Sequence, residues 1–188
     1  MVRVLGLVGL THDSGLALLE DGLPVVILEE ERLNREKRTK AFPTHSLIAA
    51  LGSDLAGIDS VDAIATPWDV GRLRRSFAGA ILRGLPGSLS LLLEAAHTPQ
   101  RNEIVLLNQY LKRRLKRLAG GRPLPRIVNV GHHDAHAAVF FVSPFEDAPI
   151  LVMDGFGDDS ATSVYTADHR GIRRRWHTGI FNSIGIVY

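Results

Sequence analysis

The sequence contains no cysteine. Disulfides and thiolate metal sites are therefore excluded, and any metal this chain holds must sit on nitrogen and oxygen ligands. No apolar run approaches the roughly 18 residues that would span a bilayer. Neither sign of charge dominates: 22 Lys and Arg against 20 Asp and Glu leave a formal net charge of +2, too small a surplus to indicate nucleic acid. The apolar start MVRVLGLVGL runs into THDSG without a small-residue cleavage site, so it reads as a first strand and not as a leader. Low-complexity segments are missing too. The expectation is a cytoplasmic protein with neither nucleic acid nor membrane as partner. Its 188 residues, 45% hydrophobic and 22% charged, suffice for one core or for one lobe of something larger.

Residues 2–9, 15–20 and 23–28 read as three strands, the last two joined by Asp21-Gly22, a two-residue hairpin signal. A helix is expected over 46–55 and a strand over 61–66, a crossover back into the same sheet. From 70 to 118 the pattern is helical, broken at 84–87 and near Thr98-Pro99. The last piece, EIVLLNQYLKRRLKRLAGG, has an apolar stripe, basic final turns that read as a solvated face, and a double-glycine stop. A strand over 126–130, a helix over 132–141, a buried strand over 150–153 and a strand pair over 161–167 and 172–177 complete the reading. VGLTHDSGLALLEDG near the start is echoed by MDGFGDDSATSVYTADHRG near the end, each a strand, a polar turn with Asp-Ser, a strand and a second turn. Such a repeat is expected of two related lobes that each offer a hairpin turn to a phosphate.

Chemistry concentrates in GHHDAHAA, residues 131–138, and DGFGDDS, residues 154–160. His132 and His136 stand one helical turn apart, so both rings can reach one cation, and Asp154 at a strand end can add an oxygen. A helix that merely happens to be rich in histidine is the plainer alternative. His133 points to another face and reads as a supporting group. Gly155 and Gly157 permit positive φ and close backbone approach to an anion, while Asp154, Asp158 and Asp159 favour a cation, which suggests a metal bridging to phosphate oxygens. A tight β-turn explains the glycines equally well. In THDSG, His12 suits proton transfer near neutral pH, although Asp13 and Ser14 also suit simple turn closure. Lys37 and Arg38, in RLNREKRTK, are candidates for holding a phosphate, or are solvated loop charges.

Taken in order, THDSGLALL with its following DG, EEERLNREK with FP after it, GHHDAHAA, SPFEDA, MDGFGDDSATSV and NSIGIVY resemble the N-terminal part of the O-carbamoyltransferase family of antibiotic tailoring and nodulation-factor modification. The resemblance runs along essentially the whole chain. It implies an α/β, actin-like or sugar-kinase-like fold: a first lobe with inserted helices, about 68–120, and the start of a second. It implies, too, that the second lobe and a C-terminal adenylate-forming domain lie outside these 188 residues.

The activity so implied is transfer of a carbamoyl group to a hydroxyl of a small-molecule acceptor. The donor is carbamoyl-adenylate, made from carbamoyl phosphate and ATP. By motif, His132, His136 and Asp154 correspond to metal ligands, iron first and zinc or another divalent ion after it, and His12 to a histidine close to the transferred group. Lys37, Arg38, Gly155, Gly157 and Asp158 are the expected contacts to the nucleotide donor. Besides the acceptor, the missing C-terminal portion is the expected partner, a homodimer is left open, and the chain alone is expected not to turn over. Two rival readings remain: a non-catalytic remnant binding a nucleotide or partner, and an ATP-dependent kinase of the same superfamily.

Overall fold

The computed structural model describes residues 1–9, 13–87 and 106–183. The first apolar runs form β1 (Arg3–Val8), β2 (Gly15–Glu20) and β3 (Leu23–Glu29), an antiparallel meander. Between β2 and β3, Asp21 has φ 48° and Gly22 φ 88°, the two left-handed residues a type I′ hairpin requires. After α1 (Glu30–Asn34) and α2 (Thr44–Leu51), the chain returns through a 3₁₀ stretch, Ser53–Ser60, to β4 (Ala63–Thr66). The expected helix over 46–55 thus stops early, at Gly52 with φ 84°, because a left-handed glycine ends a helix at little cost. β4 lies parallel to β1, the anticipated crossover, and β5 (Arg126–Asn129) lies parallel to β4. The mixed five-stranded sheet has the order β3-β2-β1-β4-β5.

Beyond β4 come α3 (Val70–Arg83) and α4 (Leu107–Leu118). α3 ends where the first break was expected; the second, near 98–99, lies outside the described residues. α5 (His132–Ala137) is shorter than the expected helix, since residues Ala138–Val142 tighten into 3₁₀ turns. A second antiparallel meander follows, β6 (Ala148–Met153), β7 (Thr162–Asp168) and β8 (Gly171–His177). The chain divides into two units: residues 1–67 with 98–129, which hold the five-stranded sheet and α4, and residues 68–97 with 130–188, which hold α3, α5 and the second meander. Among the described residues, no helix is long and apolar enough to cross a membrane.

The sequence echo is a structural echo. Each meander has a two-residue turn between its second and third strands, and each shifts register there, between Leu18 and Leu19 in β2 and between Val164 and Tyr165 in β7. In each, the serine of the Asp-Ser pair is buried, Ser14 at 2% exposure and Ser160 at 0%. A bulge at matching positions gives the two ladders the same local kink and added twist.

The first unit is centred on Leu5, Leu18, Leu47, Leu55, Ile58, Ile64 and Leu115, all nearly or fully buried. α4 contributes Leu107, Leu111 and Leu115, spaced i, i+4, i+8 along one face. Beneath this apolar layer sits one carboxylate, Glu30, 1% exposed. Its oxygens accept from the backbone N–H groups of His45 (3.0 Å) and Ser46 (2.8 Å) and from the Ser46 hydroxyl (2.7 Å), and lie 2.7 Å from Nδ1 of His45. The residue before α2, Pro43, has no side chain to cap it, so Glu30 satisfies the orphan N–H groups of that helix from a distance in sequence. Burial alone would raise its carboxyl pKa, but the Ser46 and His45 donors bring it below the ordinary value. Glu30→Ala strands those donors, and we expect it to lower the unfolding free energy by about 3 kcal/mol, measured by urea titration.

Candidate metal centre

The second unit builds its polar site on α5. Gly131 precedes that helix, and a Cβ there would meet both the Asp134 carboxylate and the Arg72 guanidinium, so a larger residue would have to displace that ion pair. Arg72 Nη1 donates to Asp134 Oδ2 at 2.8 Å, and the Tyr165 hydroxyl donates to Asp134 Oδ1 at 2.9 Å. The start of α5 is thereby tied to α3 on one side and β7 on the other.

Within α5, His132 and His136 project together, with ring centroids 4.7 Å apart and planes perpendicular. β6 ends at Met153, and Asp154 follows directly. His132 Nε2 lies 2.7 Å from Asp154 Oδ2, His136 Nε2 lies 3.6 Å from the same oxygen, and the two imidazole nitrogens are 3.2 Å apart. Ligands about 2.0–2.2 Å from a shared tetrahedral ion stand about 3.3–3.6 Å from one another. The 3.2 and 3.6 Å separations come near that spacing, while the 2.7 Å between His132 and Asp154 is a direct hydrogen bond that an ion would have to open. In chemistry, two imidazoles and a carboxylate with one ligand atom from each within 4.8 Å of the others are a donor set that suits iron or zinc. His132, His136 and the Gly155 N–H hold the Asp154 carboxyl well below the usual carboxylate range.

Around this trio the packing is specific. The Trp68 indole stacks on the His132 ring, with centroids 4.2 Å apart and planes 21° from parallel. Asp158, 1% exposed, accepts through Oδ2 from the backbone N–H of His132 and of Asp69, both at 3.1 Å. One oxygen thus fixes His132 at its backbone and the residue beside Trp68. Burial pushes the Asp158 carboxyl upward in pKa. His133, 1% exposed, turns away from the trio as expected, with Nδ1 2.8 Å from the Ser163 hydroxyl and 3.2 Å from that of Ser160. Burial, then His132, pulls its pKa down to about 4.

The glycines work differently from the sequence expectation. Neither Gly155 nor Gly157 adopts a left-handed backbone. Gly157 is required by crowding, because a Cβ would meet the Ser160 carbonyl at 2.5 Å and the His133 ring at 3.1 Å, while the Gly155 N–H turns back to Asp154 Oδ1 at 2.6 Å. His132, His136 and Asp154 are brought together, with Gly155, Gly157 and Asp158 directly behind them. Lys37 and Arg38 are exposed residues of the first unit, the Arg38 N–H donating to Glu31 Oε2 at 2.9 Å. His12 lies outside the described residues. Trp68, Arg72, Asp134, Tyr165 and Arg174 were not singled out by sequence reasoning. Asp134 stood inside GHHDAHAA, and Asp69 bore the mark of a helix cap, its side chain accepting from the Arg72 N–H at 3.0 Å.

A family model described as carbamoyltransferase N-terminus matches residues 3–188. The chain is 32% identical over 195 residues to an uncharacterized protein of Synechocystis sp., an alignment covering 100% of this chain and 31% of that protein. It is also 34% identical over 152 residues to the nodulation protein NolNO of Sinorhizobium fredii, covering 78% of this chain and 20% of that one. The chain therefore spans about a third or less of the length of these curated relatives.

The pair closing the loop against β8 gives a pH signature. Arg174 donates from both Nη atoms to the two Asp159 oxygens at 2.7 Å. Burial alone would raise the Asp159 carboxyl, but Arg174 and Ser160 bring it down to about 2 from an ordinary 3.8. A depressed carboxyl pKa stabilises the fold above the unfolded value and ceases to do so as pH falls through the folded one. Stability from this pair is thus lost between about pH 4 and pH 2. In Arg174→Gln the carboxyl protonates at higher pH, so urea melts from pH 5 to 2 should show a lower plateau and an earlier acid loss than wild type.

Proposed function

The chain belongs to the carbamoyltransferase family, whose N-terminal model covers it from residue 3 to residue 188, and from that premise we propose that it forms the metal-holding part of an enzyme carbamoylating a hydroxyl of a small molecule. The observation carrying this reading is the meeting of His132, His136 and Asp154 in a chain with that family match. The mixed five-stranded sheet and the second meander that repeats its opening support an actin-like fold with the start of a second lobe.

His132, His136 and Asp154 would hold a divalent ion, iron first and zinc or another ion after it. When bound, the ion supplies neutralisation of phosphate charge and polarisation of the carbamoyl carbonyl. The protein's own work is positioning. Trp68 and Asp158 hold the His132 ring and backbone in place, and the fixed carboxylate of Asp154 orients both imidazoles. His12 would take the proton from the acceptor hydroxyl, and Lys37 and Arg38 would hold donor phosphate. Gly155, Gly157 and Asp158 support the donor site by shaping the loop behind the ligands. Carbamoyl phosphate and ATP would be consumed to form the carbamoyl-adenylate, in the further portion that the longer relatives carry. Nothing in the reaction requires a covalent bond between carbamoyl group and enzyme.

Metal analysis by mass spectrometry checks the ligand set. The chain loaded with Fe²⁺ or Zn²⁺ and desalted should retain about one ion, and His132→Ala, His136→Ala and Asp154→Asn should each lower affinity by at least about tenfold. Completed with the remaining portion found in its relatives, the protein should move label from carbamoyl phosphate to a hydroxyl acceptor only with ATP present, and His132→Ala should abolish that transfer. Phosphate transfer from ATP to the acceptor that survives loss of the histidines would instead assign a kinase. A protein that keeps nucleotide affinity and transfers neither group would be the non-catalytic remnant.

A further inference from the structure

The basic face of α4 is not wholly solvated. Arg114 turns from it over two aromatic rings, its Cζ 5.7 Å from the centroid of Phe42 and 5.5 Å from that of Tyr110. Those rings meet edge to face with centroids 6.4 Å apart, so the guanidinium lies along an aromatic corner within cation–π range of both faces. Its Nε is shielded from solvent and has no hydrogen-bond partner. Among the described residues, no carboxylate forms an ion pair with Arg114.

This corner is one wall of a cavity of about 430 Å³ in the first unit, lined also by Lys40, His45 and Glu30. The volume is that of a small-molecule site. Among the described residues, Glu30 is the one carboxylate in the lining, and its oxygens are already engaged by the His45 and Ser46 donors, so it is committed to α2 rather than to Arg114. The lining also holds the Arg114 guanidinium, the Lys40 ammonium and the half-exposed ring of Tyr110. A guanidinium without a carboxylate partner among the described residues is matched best by a planar or tetrahedral oxyanion.

We propose that this cavity binds a small oxyanion with a flat apolar body, a carboxylate or a phosphate ester, with Arg114 as its principal cationic partner and Lys40 as the second. Tyr110, the exposed ring of the pair, packs against the apolar body. The inference stands on the first unit alone and does not depend on the metal reading; its failure would leave that reading untouched.

The test titrates sodium benzoate and inorganic phosphate separately into the full chain, followed by saturation-transfer NMR and calorimetry. Saturable binding of at least one probe is expected, weakened at least about tenfold by Arg114→Met and about threefold by Lys40→Gln. Benzoate binding that phosphate displaces assigns an oxyanion of either kind. Binding of benzoate alone assigns a carboxylate, and of phosphate alone a phosphate ester. Should circular dichroism show Arg114→Met unfolded, Arg114→Lys, which keeps the charge and loses the fork, and Lys40→Gln on the exposed loop carry the comparison. Absence of saturable binding for both probes, or affinities unchanged in the folded variants, overturns the proposal.

Discussion

A single atom, Oδ2 of Asp158, holds the second unit's polar site together. It receives the N–H groups of Asp69 and His132, residues far apart in the chain, and so fastens the entries of α3 and α5 to the same loop. The loop bearing that acceptor is itself held at several points: crowding at Gly157, the Arg174 fork on Asp159 and the His133 contacts with Ser160 and Ser163. Imidazoles and carboxylate thus face one another without a ligand, an arrangement that reduces the ordering a ligand would have to impose.

Much of this architecture was legible from local chemistry. Asp21-Gly22 specified its turn because so few residue pairs accept two left-handed conformations. The histidine pair was visible because helical periodicity places i and i+4 on one face, and Asp154 because an apolar strand ends just before it. The expected burial of that strand is not met, since Val152 alone is buried while Leu151 and Met153 are exposed. The echo between the two Asp-Ser loops was weak in letters but true in backbone, down to the matching bulges.

What escaped was chiefly long-range. Trp68 and Arg72 lie in a segment without a motif, and their value comes from stacking on His132 and bridging to Asp134, contacts more than sixty positions away. Arg174 sat in an unremarkable basic run until β8 brought it to Asp159. The glycines of DGFGDDS misled for a different reason. Glycine answers two distinct demands, unusual φ and lack of space, and only packing against His133 tells which one Gly157 meets. Arg114 escaped because hydrophobic periodicity assigns a residue to a face of its helix without saying whether a long side chain bends back over neighbouring rings.

The charges locked into the second unit leave an imbalance. Asp69, Asp134, Asp154, Asp158 and Asp159 are met by two guanidiniums, those of Arg72 and Arg174, so with every carboxylate ionised the cluster carries a surplus of three negative charges. A doubly charged cation at the histidines would offset most of it. Thermal stability would then become a readout of cation activity in the surrounding solution, the melting point rising with each decade of free ion, and the fold would serve as its own gauge of occupancy.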